Sequence, residues 1–452
     1  MFKKSALMLA IVLSLLLASL GSLATPSLAS GPAQDETAPT PQPYQPWEPT
    51  KTFFDQNITL SAAMIDEERE WLFRDLLPEF EKKTGVKVVI DMYGFAELYN
   101  KNLTASAGKT GEYDIYQMHF PDMALFDERG YFVDLTDWVM RDAKDPSFML
   151  DDIEPYLQGS HMKYKDRYYG VPTHVGANFF YYRKDILEKE GLEVPTNWEK
   201  TLEVAKSITE KYAPEMYGFT FMGRGDIQGM ATFMGFMGAY GCDFYDHTTF
   251  KPTINAPECV KALETYVSML PYSVPESASF GFDENHMAFQ KGKAAMIVFW
   301  DSGDGFFSDP KQSDIVGKWG VGVVPGGHGA NGGWSVQIST GSQYPEAAWE
   351  FLKWLVSPEM ENRAVPLKPS CRISVLTDPA YAQYPGYMAF HRLLNEGKPF
   401  DFPKILPNWQ MMEMTAQRIQ EVLTGQKQPK EALDGIQQEI EIMFLRYGLW
   451  QP

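Results

Sequence analysis

The chain has 452 residues, of which 40 are basic and 59 acidic, for a net charge of −19. A surface this acidic repels nucleic acid and anionic lipid, so neither is an expected partner. After a short N-terminal apolar run, no segment is long and apolar enough to span a bilayer.

Residues 1–29 read as an export signal. Lys3 and Lys4 precede an apolar run, Ala6 to Leu17, and Ser27-Leu28-Ala29 offers small residues at the cleavage positions. Cleavage after Ala24 is the alternative, with Pro26 against it. No cysteine lies in this stretch, so no lipid anchor is expected and the mature protein should be free in a periplasm or secreted. Residues 30–50 are proline-rich and poor in aliphatics, which suits a disordered or extended lead-in. From Lys51 onward the composition is globular, and the length suits about two domains.

Asn57–Ala63 is an expected strand, followed by an amphipathic helix Glu67–Lys83 that would bury Trp71, Leu72, Leu76, Leu77 and Phe80. Gly85 sits where a left-handed C-cap belongs. Val86–Met92 completes a β-α-β unit that opens a parallel sheet. Phe95–Ser106 is a helix and Tyr113–Met118 a buried strand. The loop His119-Phe120-Pro121-Asp122 leads into a helix ending before Gly130. Tyr168–Pro172 precedes another strand, Asn178–Tyr182, and Thr196 or Asn197 caps a helix over Trp198–Lys211. Cys242 and Cys259 close a short segment and are expected to pair in an oxidising compartment, leaving Cys371 as a thiol; three buried thiols is the alternative.

The stretch Phe282–Leu355 is the most informative. It gives a short helix, a buried strand Ala294–Phe299 delivering Trp300, a second apolar strand, a glycine-rich loop, Trp334 with a further strand, and an amphipathic helix with Pro345 in its first turn. The blocks "FxxGKAAM…W" and "GVGVVPGG…GGWSVQIS" resemble the extracellular solute-binding proteins of bacterial ABC importers, in particular their sugar and polyol branch. That resemblance implies an α/β, two-lobed periplasmic-binding-protein fold with discontinuous lobes, a hinge and an inter-lobe ligand cleft. It implies chain crossings near Thr173–Asn178, near Gly332–Ser335 and within Lys368–Asp378. Lobe 1 is then 51–174 plus 336–372, and lobe 2 is 175–334 plus 373–452.

Other chemistry is poorly supported. Ala107-Gly108-Lys109-Thr110 lacks the glycine a phosphate loop requires, since Leu103 stands there. Gly327 to Gly332 spells GxGxxG but precedes a strand pattern rather than a helix, so it reads as a flexible loop beside a hinge. The seven histidines show no helix-spaced metal pair. The tyrosine pairs Tyr168-Tyr169 and Tyr181-Tyr182 point to opposite faces of a strand, which disfavours iron. No serine-nucleophile elbow is present.

A sugar presents an apolar C–H face to aromatic rings and a rim of hydroxyls to carboxylates, amides and cations, and each desolvated hydroxyl needs a partner. The resemblance carries this role onto His119 and Asp122, then Thr173, His174 and Asn178 at the first crossing. It continues with Trp300 and Asp301 at a strand end, Gly333 and Trp334 at the second crossing, Arg372 in a segment resembling "P-x-R-x-S-V", and Trp409 after a proline-bounded loop. Glu67 and Glu68 are weaker candidates. Each has a bland alternative: core packing for a tryptophan, a helix cap for Asp122, a lobe-bridging ion pair for Arg372. Trp349 and Trp354, at helical spacing, read as core. The implied protein is a monomeric, non-catalytic receptor without cofactor that hands a sugar or polyol to ABC permease subunits. A ligand-presenting sensor and a periplasmic carbohydrate hydrolase are the rivals.

Overall fold

A computed structural model describes residues 44–452 except 109, 110, 366 and 383. The export-signal reading and Lys109-Thr110 therefore lie outside the described residues. The first unit is the expected β-α-β: strand β1 (Thr59–Ile65), helix α1 (Glu68–Thr84) and strand β2 (Lys87–Tyr93), with β1 and β2 parallel. Helix α1 ends at Gly85, whose φ of 78° is left-handed. A Cβ there would also sit 2.7 Å from the Phe54 Cα, so glycine is required twice over. The buried stripe of α1 is Arg69, Glu70, Phe73 and Phe80. Trp71, expected in the core, is 41% exposed and donates its indole N–H to Asp66. It lies two residues from Phe73, on the far side of a 3.6-residue repeat.

Helix α2 (Phe95–Gly108) leads to β3 (Ile115–His119). Gly170–Pro172 and Asn178–Tyr182, expected in separate pieces, belong to one 14-residue strand, β4 (Gly170–Arg183), while Tyr168 lies in a separate short strand before it. Then come β5 (Tyr217–Thr220), helix α3 (Ile227–Tyr240), β6 (Ala294–Trp300), β7 (Trp319–Gly322), β8 (Ala330–Ile338), helix α4 (Pro345–Leu355), the short β9 (Phe400–Asp401) and helix α5 (Asn408–Leu423). The sheet order is β2-β1-β3-β8-β4-β6-β5, with β7 on β4 and β9 on β8.

Two long strands organise this sheet. Residues Gly170–Ala177 of β4 pair antiparallel with β8, while Asn178–Tyr182 pair with β6 and Phe180–Arg183 with β7. Strand β8 likewise pairs with β3 over Trp334–Ile338 and with β9 over Ala330–Asn331. The β2-β1-β3 half and the β6-β5 half are thus two α/β lobes joined through β4 and β8, which stay extended because neighbours satisfy their backbone groups throughout. The glycine-rich segment is correspondingly less open than expected: Ala330–Gly332 are already strand, and buried. A register shift falls between Trp334 and Ser335. Gly333, with φ 107°, lets β8 approach so closely that a Cβ would meet the His174 carbonyl at 2.4 Å.

Alternation divides the apolar residues of each strand between two faces: Ala62 and Met64 of β1 and Phe179 and Tyr181 of β4 join one cluster, whereas Ala63, Ile65 and Phe180 join others. Trp349 and Trp354 of α4 are buried in the first. The end of the proline-rich lead-in is also part of this core. Trp47 is 1% exposed, packs 5.7 Å from Phe80, and donates its backbone N–H to Glu359; the Thr50 N–H donates to Glu350. One large buried ring outweighs the surrounding composition for residues 44–50. Cys242 and Cys259 form a disulfide with Cα atoms 4.7 Å apart, and Cys371 is a free, buried thiol.

Candidate functional site

The site assembles at strand ends. Strand β3, apolar apart from Gln117 up to Met118, ends at His119, and the Phe120–Asp122 turn with Pro121 in it follows and places Asp122 at its end. Asp122 makes no cap hydrogen bond; it accepts the indole N–H of Trp409, from the start of α5. Trp409 lies 5.5 Å from the His119 ring, 5.7 Å from Phe95 and 5.9 Å from Tyr99. Trp334, in β8 opposite His119, completes the cluster at 6.0 Å from that ring. These side chains, with Gln117, Leu98, Asn102 and Met118, line a tight cavity of about 10 Å³. A larger groove of about 280 Å³ is lined by Tyr99, Asp122 and Trp409 as well.

Trp300 ends β6 opposite Asn178. Its indole N–H donates to Gln228 of α3 at 2.6 Å, which fixes the ring plane. A Cβ on Gly332 would lie 3.3 Å from both the Trp300 ring and His119 Nε2, so these two side chains converge over a backbone position that carries no side chain. His174 and Asn178 are even positions of β4, on the face of Phe180 and opposite Val175, Ala177 and Phe179.

A polar network forms the inner end. Gln117 donates to Glu70 at 2.8 Å and to Thr173 at 3.0 Å. Lys368 pairs with Glu67 at 2.9 Å; His174 lies 3.7 Å from Glu67 and 3.4 Å from Asp301. Several buried atoms here have no hydrogen-bond partner in the protein: both side-chain amide atoms of Asn178, Oε2 of Glu70, Nδ1 of His119 and, apart from its 3.7 Å approach to Glu67, Nδ1 of His174. Burial, aided by Glu67, pushes the Glu70 carboxyl up to about 7. Burial alone raises Asp122 to about 7 against the pull of Trp409. Burial and then His174 push His119 down to about 3, keeping it neutral. For Glu67 burial works upward, but Lys368 and His174 hold it below its ordinary range.

Arg372 is not part of this cluster. It is fully buried and donates to the carbonyls of Val356, Phe148 and Met149, with Asp152 at 3.3 Å. The "P-x-R-x-S-V" pattern located a structural staple, because a guanidinium with five donors is held wherever loop carbonyls converge. The side chain of Glu68 lies outside the described residues. Gly333 contributes through close backbone approach. Sequence reasoning missed Gln117, Glu70, Lys368 and Gln228. Glu70 stands one turn after the weakly favoured Glu67, the single signal that could have found any of them. Among the described residues, no group of three or more His, Cys, Asp and Glu is placed to hold a metal, and no helix is long and apolar enough to cross a membrane.

A buried aromatic and carboxylate cluster between two lobes threaded by β4 and β8 is the arrangement of a ligand-capturing protein. A sequence profile of the bacterial extracellular solute-binding protein family matches residues 68–362, and the chain belongs to that family. It is similar to an ABC transporter solute-binding protein of Agrobacterium radiobacter K84, solved in complex with ribitol. The TM-score is 0.75 and the identity 30%, over 86% of this chain and 99% of that one. It is 27% identical to the mannitol-binding protein of Pseudomonas aeruginosa over 263 residues, 56% of this chain and 58% of that protein. It is 24% identical over 430 residues to a probable amino-acid ABC transporter periplasmic-binding protein of Sinorhizobium fredii, covering 93% of this chain and 95% of the relative.

Proposed function

We propose that this chain is the solute-binding component of an ABC importer and captures a sugar or polyol between its lobes for delivery to membrane permease subunits. The observation that carries the reading is the set of buried polar atoms without protein partners beside Trp300, Trp334 and Trp409. A desolvated donor or acceptor left unmade costs about 1–3 kcal/mol, and hydroxyls can satisfy both kinds. The site residues of the bound state are His119, Asp122, Thr173, His174, Asn178, Trp300, Asp301, Trp334 and Trp409, joined by Gln117 and Glu70. The similarity to the ribitol-bound protein supports the same ligand class.

The lobes are 51–174 plus 336–372 and 175–334 plus 373–452. The change of pairing partner along β4 at Ala177–Asn178 supports the first boundary. Ligand seated on one lobe favours closure because the closed state adds contacts from the other. The protein acts as a monomer without a cofactor and without catalysis. It is exported with cleavage near Ala29, and mass spectrometry of the exported protein should find a new N-terminus there. A thermal-shift screen over sugars and polyols tests the ligand class: saturation at about a hundred times Kd should stabilise the fold by about 2.7 kcal/mol. No shift with any polyol or sugar would reject it.

A further inference from the structure

We propose that the cleft selects neutral polyols and rejects their carboxylate-bearing counterparts, because Glu67, Glu70 and Asp301 gather at its inner end and the cation among them, Lys368, is already paired. This rests on the polyol reading above and narrows it.

The cations nearby are engaged. Lys368 Nζ lies 2.9 Å from Glu67. Arg69 hydrogen-bonds Glu361, whose other oxygen accepts from Ser370 and the Cys371 N–H. Arg372 is held by three backbone carbonyls and Asp152. Arg129, at the outer groove, is solvent-exposed, where counter-ions screen it. A ligand carboxylate entering the inner end would meet Glu67 and Asp301, with Glu70 adding charge as it ionises, and the buried cations Lys368, Arg69 and Arg372 are each already paired with a carboxylate; a buried anion without a partner is strongly disfavoured.

The unpartnered atoms point the same way. Glu70 is 1% exposed with Oε2 unpartnered, and it needs a donor when ionised. Asn178 is fully buried and presents both a donor and an acceptor. A hydroxyl serves each, since it donates and accepts; a carboxylate only accepts. Specificity here is a repulsive element as much as an attractive one. The same argument disfavours free amino acids, each of which carries a carboxylate, and so separates this chain from what the name of its Sinorhizobium relative describes.

Calorimetric titration of the mature protein with matched pairs, ribitol against D-ribonate and D-mannitol against D-mannonate, tests the proposal. The polyol of at least one pair should bind, and its aldonate should bind about a hundredfold more weakly or worse. Glu70→Gln and Asp301→Asn keep shape and remove charge, so each should narrow the gap; Glu67→Gln replaces either variant that fails to fold. An aldonate binding within about tenfold of its polyol overturns the proposal while leaving the polyol reading standing. A gap unchanged in the neutralised variants also overturns it, because shape alone would then explain the preference. Binding of neither member of either pair overturns this proposal, and the thermal-shift screen over other sugars then decides the broader reading separately.

Discussion

Trp300→Ala separates a ligand platform from a core residue in one variant. The native ring is half-buried, packs against apolar residues of both large clusters, and is fixed by the 2.6 Å bond from its indole N–H to Gln228. A fully buried tryptophan truncated to alanine costs about 3–5 kcal/mol of stability. Trp300 keeps part of its ring in the cleft, so its packing loss should be smaller, about 2 kcal/mol, including about 1 kcal/mol for the hydrogen bond. Binding should suffer as much or more: a buried aromatic anchor is worth about 2 kcal/mol or greater, about thirtyfold in Kd. Trp300→Phe should restore most packing but lose the Gln228 bond, leaving an intermediate affinity because the ring is no longer fixed. Urea denaturation gives the first quantity and calorimetric titration with ribitol or mannitol the second. A Trp300→Ala protein that is destabilised by 3 kcal/mol or more yet binds as wild type would return the residue to the core and remove the centre of the site.

Asp122 has a folded-state pKa near 7, raised by burial from 3.8. Its contribution to stability is therefore fully present below about pH 4 and is lost as pH rises through 7. Relative to Asp122→Asn, the wild type should weaken across that window in pH-resolved melts; a pH-independent difference would reject the buried-carboxyl assignment. Arg372→Met should destabilise by about 3–5 kcal/mol, since buried carbonyls and Asp152 lose their donors, while ligand affinity of the folded fraction stays near wild type; a selective loss of affinity would restore Arg372 to the site. The Cys242–Cys259 loop spans 17 residues, so Cys259→Ser should lower stability by about 3 kcal/mol, and the denatured, unreduced wild type should titrate one thiol, Cys371.

The parts of this fold that were legible are those with local causes. Hydrophobic period, Gly85 and Asn197 at helix ends, and the run Ala294–Trp300 each carry their structure in neighbouring residues, and the strands and helices fall within a few positions of expectation. The errors come from contacts across the chain. Trp47 is held by Phe80 and by the Glu359 carboxylate, more than 30 and 300 positions away, and proline-rich composition cannot announce that. The continuity of β4 depends on β8, β6 and β7 flanking it in turn, so a polar, glycine-containing middle that looks like a break is extended by its neighbours. Arg372 and Glu70 show the same limit at the level of single side chains. Both are buried ionisable groups, and only partners distant in sequence, loop carbonyls for Arg372 and Gln117 of β3 for Glu70, make one a staple and the other a cleft group.

The placement of the site follows from the strands that join the lobes. His174 and Asn178 project from β4, and Gly332 to Trp334 sit beside them on β8, within the segments whose pairing partners change from one lobe to the other. His119 with Asp122 and Trp300 with Asp301 arrive from strand ends on opposite sides of that seam. A ligand held by both sets would oppose opening at the point where the lobes pivot. Trp409 adds a second tie, because its indole N–H reaches Asp122 from α5. A ligand populates the closed state only by as much as it binds that state more tightly than the open one, as differential affinity for two states is all that can shift their balance.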